Sequence, residues 1–132
     1  MGRREQREQL FKLLFRLEFN SAEDMPEQKQ LFFDDSENKI SATATELISV
    51  KYDSILEKLS DIDKAINDKA EGWSTDRMGK VDLTLLRIAV YEILYDEEVP
   101  TGVAINEAVE LAKKFGQDNS YGFVNGILGK FA

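Results

Sequence analysis

Apolar residues along this chain recur at helical rather than strand spacing. Leu10, Leu13, Leu14 and Leu17 stand at i, i+3, i+4 and i+7, and Phe11, Phe15 and Phe19 repeat every four positions on a neighbouring face. The pattern predicts a first helix from about Arg3 to Phe19. Asp24 followed by Pro26 suits a helix start, so a short second helix is expected in which Leu31, Phe32 and Phe33 pack inward. The run Asp34-Asp35-Ser36-Glu37-Asn38 predicts a polar loop. A third helix is expected over about Ala42 to Leu59, carried by Leu47, Ile48, Ile55, Leu56 and Leu59, with a break and recap at Ser60-Asp61. A shorter helix then runs through Ile62 and Ile66 and ends before Gly72.

Beyond Trp73, Ser74-Thr75-Asp76 predicts a capped turn leading through Met78. A helix from about Val81 to Leu94 follows, and it is apolar on nearly every side: Leu83, Leu85, Leu86, Ile88, Val90 and Ile93 leave little polar circumference. Such a helix must be buried on most sides. Asp96-Glu97-Glu98 predicts an exposed turn before Pro100. The next helix directs Ile105, Ala108, Val109, Ala112 and Phe115 inward, and Gly116 can end it. Ser120 is expected to cap the last helix, which buries Phe123, Val124, Ile127, Leu128 and Phe131. Gly122, Gly126 and Gly129 share its other face. A helix-interior glycine costs about 1 kcal/mol, so this bare face predicts close approach by another helix or a ligand. With no strand pattern, repeat or linker, residues 1–132 read as one all-α domain of about seven helices. A chain of this length buries about two-thirds of its unfolded surface.

Composition then removes whole classes of chemistry. The chain has no Cys and no His, which excludes disulfides, thiol nucleophiles, imidazole bases, Ser-His-Asp triads and His metal sites. No cofactor or metal is expected, the lack of Cys suits a reducing cytoplasm, and no apolar run approaches the ~20 residues that span a bilayer. Glu107 and Glu110, at i, i+3 on one helix, read as a solvated or ion-paired face and not as a hydrolytic pair.

Charge distribution changes the picture further. The net charge of −8 comes from 17 basic and 25 acidic residues, which taken alone disfavours a polyanionic partner. Residues 1–17, however, carry Arg3, Arg4, Arg7, Lys12 and Arg16 against only Glu5 and Glu8. Positive charge at a helix N-terminus opposes the helix dipole, so the arginines at its start have a use other than helix stability. A basic end on an acidic body can orient a polyanion.

Three ordered motifs carry a resemblance to a known family. Leu86-Arg87-Ile88-Ala89-Val90-Tyr91-Glu92 closely resembles the LRxAxYE helix of the NusB family. Pro100 through Lys113, with Ala104-Ile105-Asn106-Glu107-Ala108 inside it and Phe115-Gly116 after it, is similar to that family's next segment. Phe123-Val124-Asn125-Gly126-Ile127-Leu128 resembles its closing FVNGxL. Arg3-Arg4 and Arg7, followed by Leu13-Leu14-Phe15, fit its arginine-bearing first helix, where Tyr usually stands at the position of Phe15. The likeness is strong over residues 73–132, fair over 1–19 and weak between.

The resemblance implies an all-α fold of two packed helical bundles, about 1–72 and 73–132. It implies a bacterial transcription antitermination factor that binds boxA-type single-stranded RNA with a small-subunit ribosomal protein, called NusE in this role. Other Nus factors and RNA polymerase would complete the assembly on ribosomal RNA operons. No catalysis or small-molecule substrate is implied. Two readings of other classes stay open. One is a protein-interaction scaffold whose basic helix forms a homodimer face. The other is an accessory domain in ribosomal RNA modification, since the same helical domain precedes the catalytic domain of some ribosomal RNA cytosine methyltransferases. Because this chain stops at Ala132, the stand-alone factor is the expectation.

Individual residues follow from chemistry and resemblance together. Arg3, Arg4 and Arg7 suit bidentate phosphate contacts, with Lys12 and Arg16 beside them. Phe15 can stack on a base or belong to the core. By resemblance, Asn119, Ser120 and Phe123 lie near the RNA path, and ordinary helix capping by Ser120 is compatible with that. Asp76 and Asp82 are candidates for steering a basic protein partner, or simply carboxylates that favour a helix N-terminus. Arg87, Glu92, Glu107 and Asn125 are expected to be structural, with Arg87 paired to Glu92 or Glu107 and Asn125 bonded to nearby backbone.

Overall fold

The structure, a computed structural model, describes residues 1–132. Seven α-helices follow in order: α1 (Arg3–Phe15), α2 (Met25–Asp34), α3 (Ala42–Glu57), α4 (Leu59–Lys69), α5 (Lys80–Tyr95), α6 (Thr101–Phe115) and α7 (Ser120–Leu128). Short 3-10 turns occupy Arg16–Glu18, Ala22–Asp24, Thr75–Arg77 and Gly129–Phe131. There are no strands, and no helix is long and apolar enough to cross a membrane.

The chain divides into two compact units, Met1–Ser54 and Ile55–Ala132. The division falls inside α3 and not at Gly72, because α4 packs on α5 and is tied to it by ions. The side chain of Arg87, on α5, donates through Nε and Nη2 to both carboxylate oxygens of Asp63 on α4, each at 2.9 Å. The segment before Trp73 is thereby split between the units.

In the first unit, Leu10, Phe11, Leu13 and Leu14 of α1, Met25 and Phe32 of α2, and Ala44, Ile48 and Tyr52 of α3 are buried. The expected inward set is corrected at two positions. Leu31 and Leu47 are more than half exposed, because each lies off the stripe set by Phe32 and by Ala44, Ile48 and Tyr52. The first helix also tightens early: beyond Phe15 the chain continues as a 3-10 turn, with the Arg16 N–H shared between the carbonyls of Leu13 and Leu14. Asp24 stands at the start of α2 without capping it, and its carboxylate instead accepts from the Ser21 hydroxyl at 3.0 Å.

In the second unit α5 is the central element. Every residue from Leu83 to Val90 is buried, since α4, α6 and α7 all lie against it. Thr84, fully buried, satisfies its hydroxyl on the Lys80 carbonyl at 2.8 Å. The interruption between α3 and α4 falls at Lys58 and not at Ser60-Asp61. Gly72 has φ +82°, the left-handed conformation glycine adopts without strain, and it turns the chain from α4 toward Trp73. Ala104, Ala108, Leu111 and Ala112 of α6 and Val124, Ile127 and Leu128 of α7 complete this core. Ile105, Val109, Phe115, Phe123 and Phe131 are only partly covered. The glycine face of α7 meets nothing within the chain: a Cβ at Gly122, Gly126 or Gly129 would find no atom within 4 Å.

Candidate functional site

The basic end of the first unit is a half-exposed helix. Arg3, Arg4 and Lys12 are exposed on α1, whereas Arg7 is only 8% exposed. Arg16 is half-buried and committed locally. Its guanidinium donates to the carbonyl and side-chain oxygens of Gln28 at 3.3 and 3.2 Å and lies over the Phe32 ring. Phe15 sits in an aromatic ladder, stacked on buried Phe11 at 5.6 Å and edge-on to exposed Phe19 at 5.1 Å. It is half-buried, so one part of the ring packs and another faces outward.

The second unit carries a cleft of about 450 Å³ between the start of α5 and the α6–α7 turn. Its walls are Trp73 and Met78 before α5, Asp82 in the first turn of α5, Phe115 at the end of α6, and Asn119, Ser120 and Phe123 around the start of α7. A volume of this order falls within the range of small-ligand sites. Trp73, half-exposed, meets Phe123 edge to face at 5.5 Å, so the two rings form a corner with apolar faces close to right angles.

A close fit at the α6–α7 turn sets the far wall. Gly116 ends α6, its N–H bonded to the Ala112 carbonyl at 2.9 Å. A Cβ there would stand 2.5 Å from both Cβ and Oγ of Ser120 and 2.7 Å from the Ala112 oxygen. Only glycine therefore lets α7 start this close to the end of α6. Ser120 does not cap α7 as expected; Asn119 holds the cap position. The buried Ser120 Oγ instead accepts the Gln117 N–H at 2.9 Å, while the Ser120 N–H donates back to the Gln117 carbonyl at 3.0 Å. This reciprocal pair holds the turn and so positions Asn119 and Phe123 at the cleft.

Of the two charged side chains in the lining, Lys80 and Asp82, the acidic one is Asp82. It stands in the first turn of α5, where a carboxylate is favoured by the helix dipole. Its Oδ1 is shut off from solvent and meets no hydrogen-bond donor, an arrangement that costs free energy when nothing relieves it.

The sequence pattern groups Asp82 with Asp76, but the structure separates them. Asp76 is exposed on the turn Thr75–Arg77, while Asp82 shares the cleft with Asn119, Ser120 and Phe123. Arg87 has a carboxylate partner in Asp63, 24 residues away, which adjacent-turn reasoning does not reach. Glu92 is buried, Glu107 half-buried and Asn125 exposed. Trp73 and Gly116 join the site only in the folded chain. Their signals in the sequence are a lone tryptophan in a polar loop and a Gly and Ser four residues apart across a turn.

The sequence profile of the NusB family matches residues 4–132. The chain is 51% identical over 130 residues to the transcription antitermination protein NusB of Lachnoclostridium phytofermentans, covering 98% of each chain. It is 47% identical to the protein of that name from Agathobacter rectalis, covering 100% of both. Among solved structures, T. maritima NusB superposes with a TM-score of 0.88 at 39% identity, covering 100% of this chain and 91% of that one. A structure of antitermination factors NusB and NusE in complex with double-stranded RNA matches with a TM-score of 0.83 at 26% identity, covering 99% and 97%. With its motifs, its seven helices and its relatives agreeing over the whole length, this chain belongs to the NusB family.

Proposed function

We propose that the protein acts as a transcription antitermination factor, binding boxA-type single-stranded RNA together with a small-subunit ribosomal protein in the NusE role. It acts by binding and not by catalysis, in the cytoplasm, as a component of an assembly with other Nus factors and RNA polymerase. The observation that carries this is the full-length likeness to a chain in a structure of NusB and NusE with double-stranded RNA, joined to relatives at about half identity that bear the antitermination name.

The site residues divide by exposure. Arg3, Arg4 and Lys12, exposed at the basic end, are assigned to phosphate contacts. Arg7, largely buried, both supports the helix and offers its remaining surface. The outward part of Phe15 is offered to a base. On the second unit, Asn119, Ser120 and Phe123 serve RNA, with Ser120 acting through the turn it holds. Asp76, exposed and acidic, is assigned to steering the basic ribosomal protein. Arg87, Glu92, Glu107 and Asn125 are structural in this account.

The test is fluorescence anisotropy with a labelled boxA-like single strand and a scrambled control, at two salt concentrations, with and without the ribosomal protein. Selective binding that strengthens with the partner is expected. Replacing Arg3 and Arg4 together by Ala should weaken binding and flatten the salt dependence, by about 0.7 in log–log slope for each phosphate no longer neutralised. Binding of both RNAs alike, with and without the partner, would refute the proposal and favour a protein-interaction scaffold.

A further inference from the structure

The far end of α5 runs out of the core. Residues Leu83 to Val90 are all buried, but Leu94 and Tyr95 are exposed, and so is Val103 in the first turn of α6. The two helices pack on one another through the turn 96–100. This tip lies about 20 Å along α5 from Asp82 and the cleft, at a rise of about 1.5 Å per residue. Single apolar side chains on a surface need no explanation, but three around one turn form a contact surface. Tyr91 packs beside Tyr95 with ring centroids 5.8 Å apart. Lys58 brings its ammonium to 5.5 Å from the Tyr95 centroid, so this ring is already presented to a cation.

Charge decides what this surface can meet. From Ile88 to Ala112 the chain carries six carboxylates, at Glu92, Asp96, Glu97, Glu98, Glu107 and Glu110, and no lysine or arginine. Glu92 is buried and Glu110 meets Lys113, whereas Glu97 and Glu98 are exposed at the tip. The turn that carries them is held in place: Asp96 Oδ1 accepts the Glu98 N–H at 3.1 Å, and the Asp96 carbonyl accepts the Val99 N–H at 3.2 Å. Carboxylates at a helix C-terminus oppose its dipole, so this acidic run has a use other than helix stability. We infer that the tip of the α5–α6 hairpin docks a basic segment of another protein, one that carries an apolar side chain beside its lysines or arginines. Leu94 and Val103 take the apolar group, and Glu97 and Glu98 face the cations. The same carboxylates repel nucleic acid. A second copy of this chain would set acid against acid tip to tip, or would dock its basic end head to tail in a contact that does not close. The inference stands apart from the RNA-binding proposal and uses none of the residues assigned there.

The probe is a fluorescent amphipathic peptide of Leu, Lys and Ala, about five helical turns long, with a scrambled peptide of the same composition as control. The full chain is titrated into each at low and moderate salt, following anisotropy. The amphipathic order should bind about tenfold tighter than the scramble, as one buried apolar anchor can supply. Glu97→Lys combined with Glu98→Lys should lower the affinity roughly tenfold or more. Asp34→Lys combined with Glu37→Lys changes the net charge equally, at exposed positions at and after the end of α2, and should cost less than about twofold. Leu94→Ser should cut the preference for the amphipathic peptide to about twofold and keep the salt dependence. Thermal unfolding checks that each variant is folded. Equal affinity for the two peptides, equal losses from the two double variants, or no binding at low salt overturns the docking surface and leaves RNA binding standing. Leu94→Ser should also bind boxA-like RNA as the parent does, with and without the ribosomal protein. A loss there would place Leu94 in the RNA site and overturn the inference.

Discussion

Replacing Gly116 by Ala adds one methyl group at the tightest point of the α6–α7 turn. The new Cβ would lie 2.5 Å from two atoms of Ser120 and 2.7 Å from the Ala112 carbonyl oxygen, each about 1 Å inside ordinary van der Waals contact. Neither neighbour can yield alone. Ser120 is 4% exposed, opens α7 and accepts the Gln117 N–H. The Ala112 carbonyl accepts the N–H of residue 116 itself. Relief requires α7 to shift from α6, so the cost should sit at or above the upper end of the ~1–3 kcal/mol typical of an added methylene in a packed site. For a domain of this size that corresponds to a fall of roughly 5–15 °C in Tm.

Gly126→Ala is the matched control. It lies inside α7, and its Cβ would meet nothing within 4 Å. There the gain in helix propensity should win, raising stability by about 0.5–1 kcal/mol. Thermal and urea unfolding followed by circular dichroism compare the two directly. Combining Gly116→Ala with Ser120→Gly removes two of the three close approaches but also the acceptor for Gln117, so recovery should be partial. If Gly116→Ala is as stable as the parent, or moves in the same direction as Gly126→Ala, the close packing of this turn is refuted. Since the turn positions Asn119 and Phe123, oligonucleotide affinity should fall together with stability.

Asp63→Asn takes the negative charge from the carboxylate that accepts from Nε and Nη2 of Arg87, whose side chain is 10% exposed. A loss of about 1.5–3 kcal/mol is expected in urea unfolding, and a change under ~0.5 kcal/mol would show the pair to be dispensable. Tyr52→Phe removes a hydroxyl that is buried with no partner, so stability should hold or rise by up to ~1 kcal/mol; a clear loss would mean the hydroxyl has a partner. Burial, and after it the Asp53 carboxylate, pushes the Tyr52 phenol up to about 12. Because the fold favours the protonated form, this stabilising contribution is intact below about pH 10 and is lost as pH rises toward 12. Alkaline unfolding should therefore be shallower in Tyr52→Phe, and identical profiles would contradict the raised value.

Helix content and order lie open in the sequence because each depends on near neighbours. The leucine spacing of α1, the all-round apolarity of α5 and the glycine ending α6 are local patterns, and so is the clustering of Arg3, Arg4 and Lys12 on one short helix. The family motifs are legible for the same reason, being contiguous. Long-range choices are not. That Arg87 grips Asp63, that Leu31 and Leu47 turn outward, and that the division into units falls within α3 all depend on which helices come to lie together. The cleft is the clearest case. Its walls come from residues 73–82 and 115–123, two stretches that no periodicity relates. They meet because α5 and α7 pack in the same core and because Gly116 lacks the methyl group that would hold α7 away.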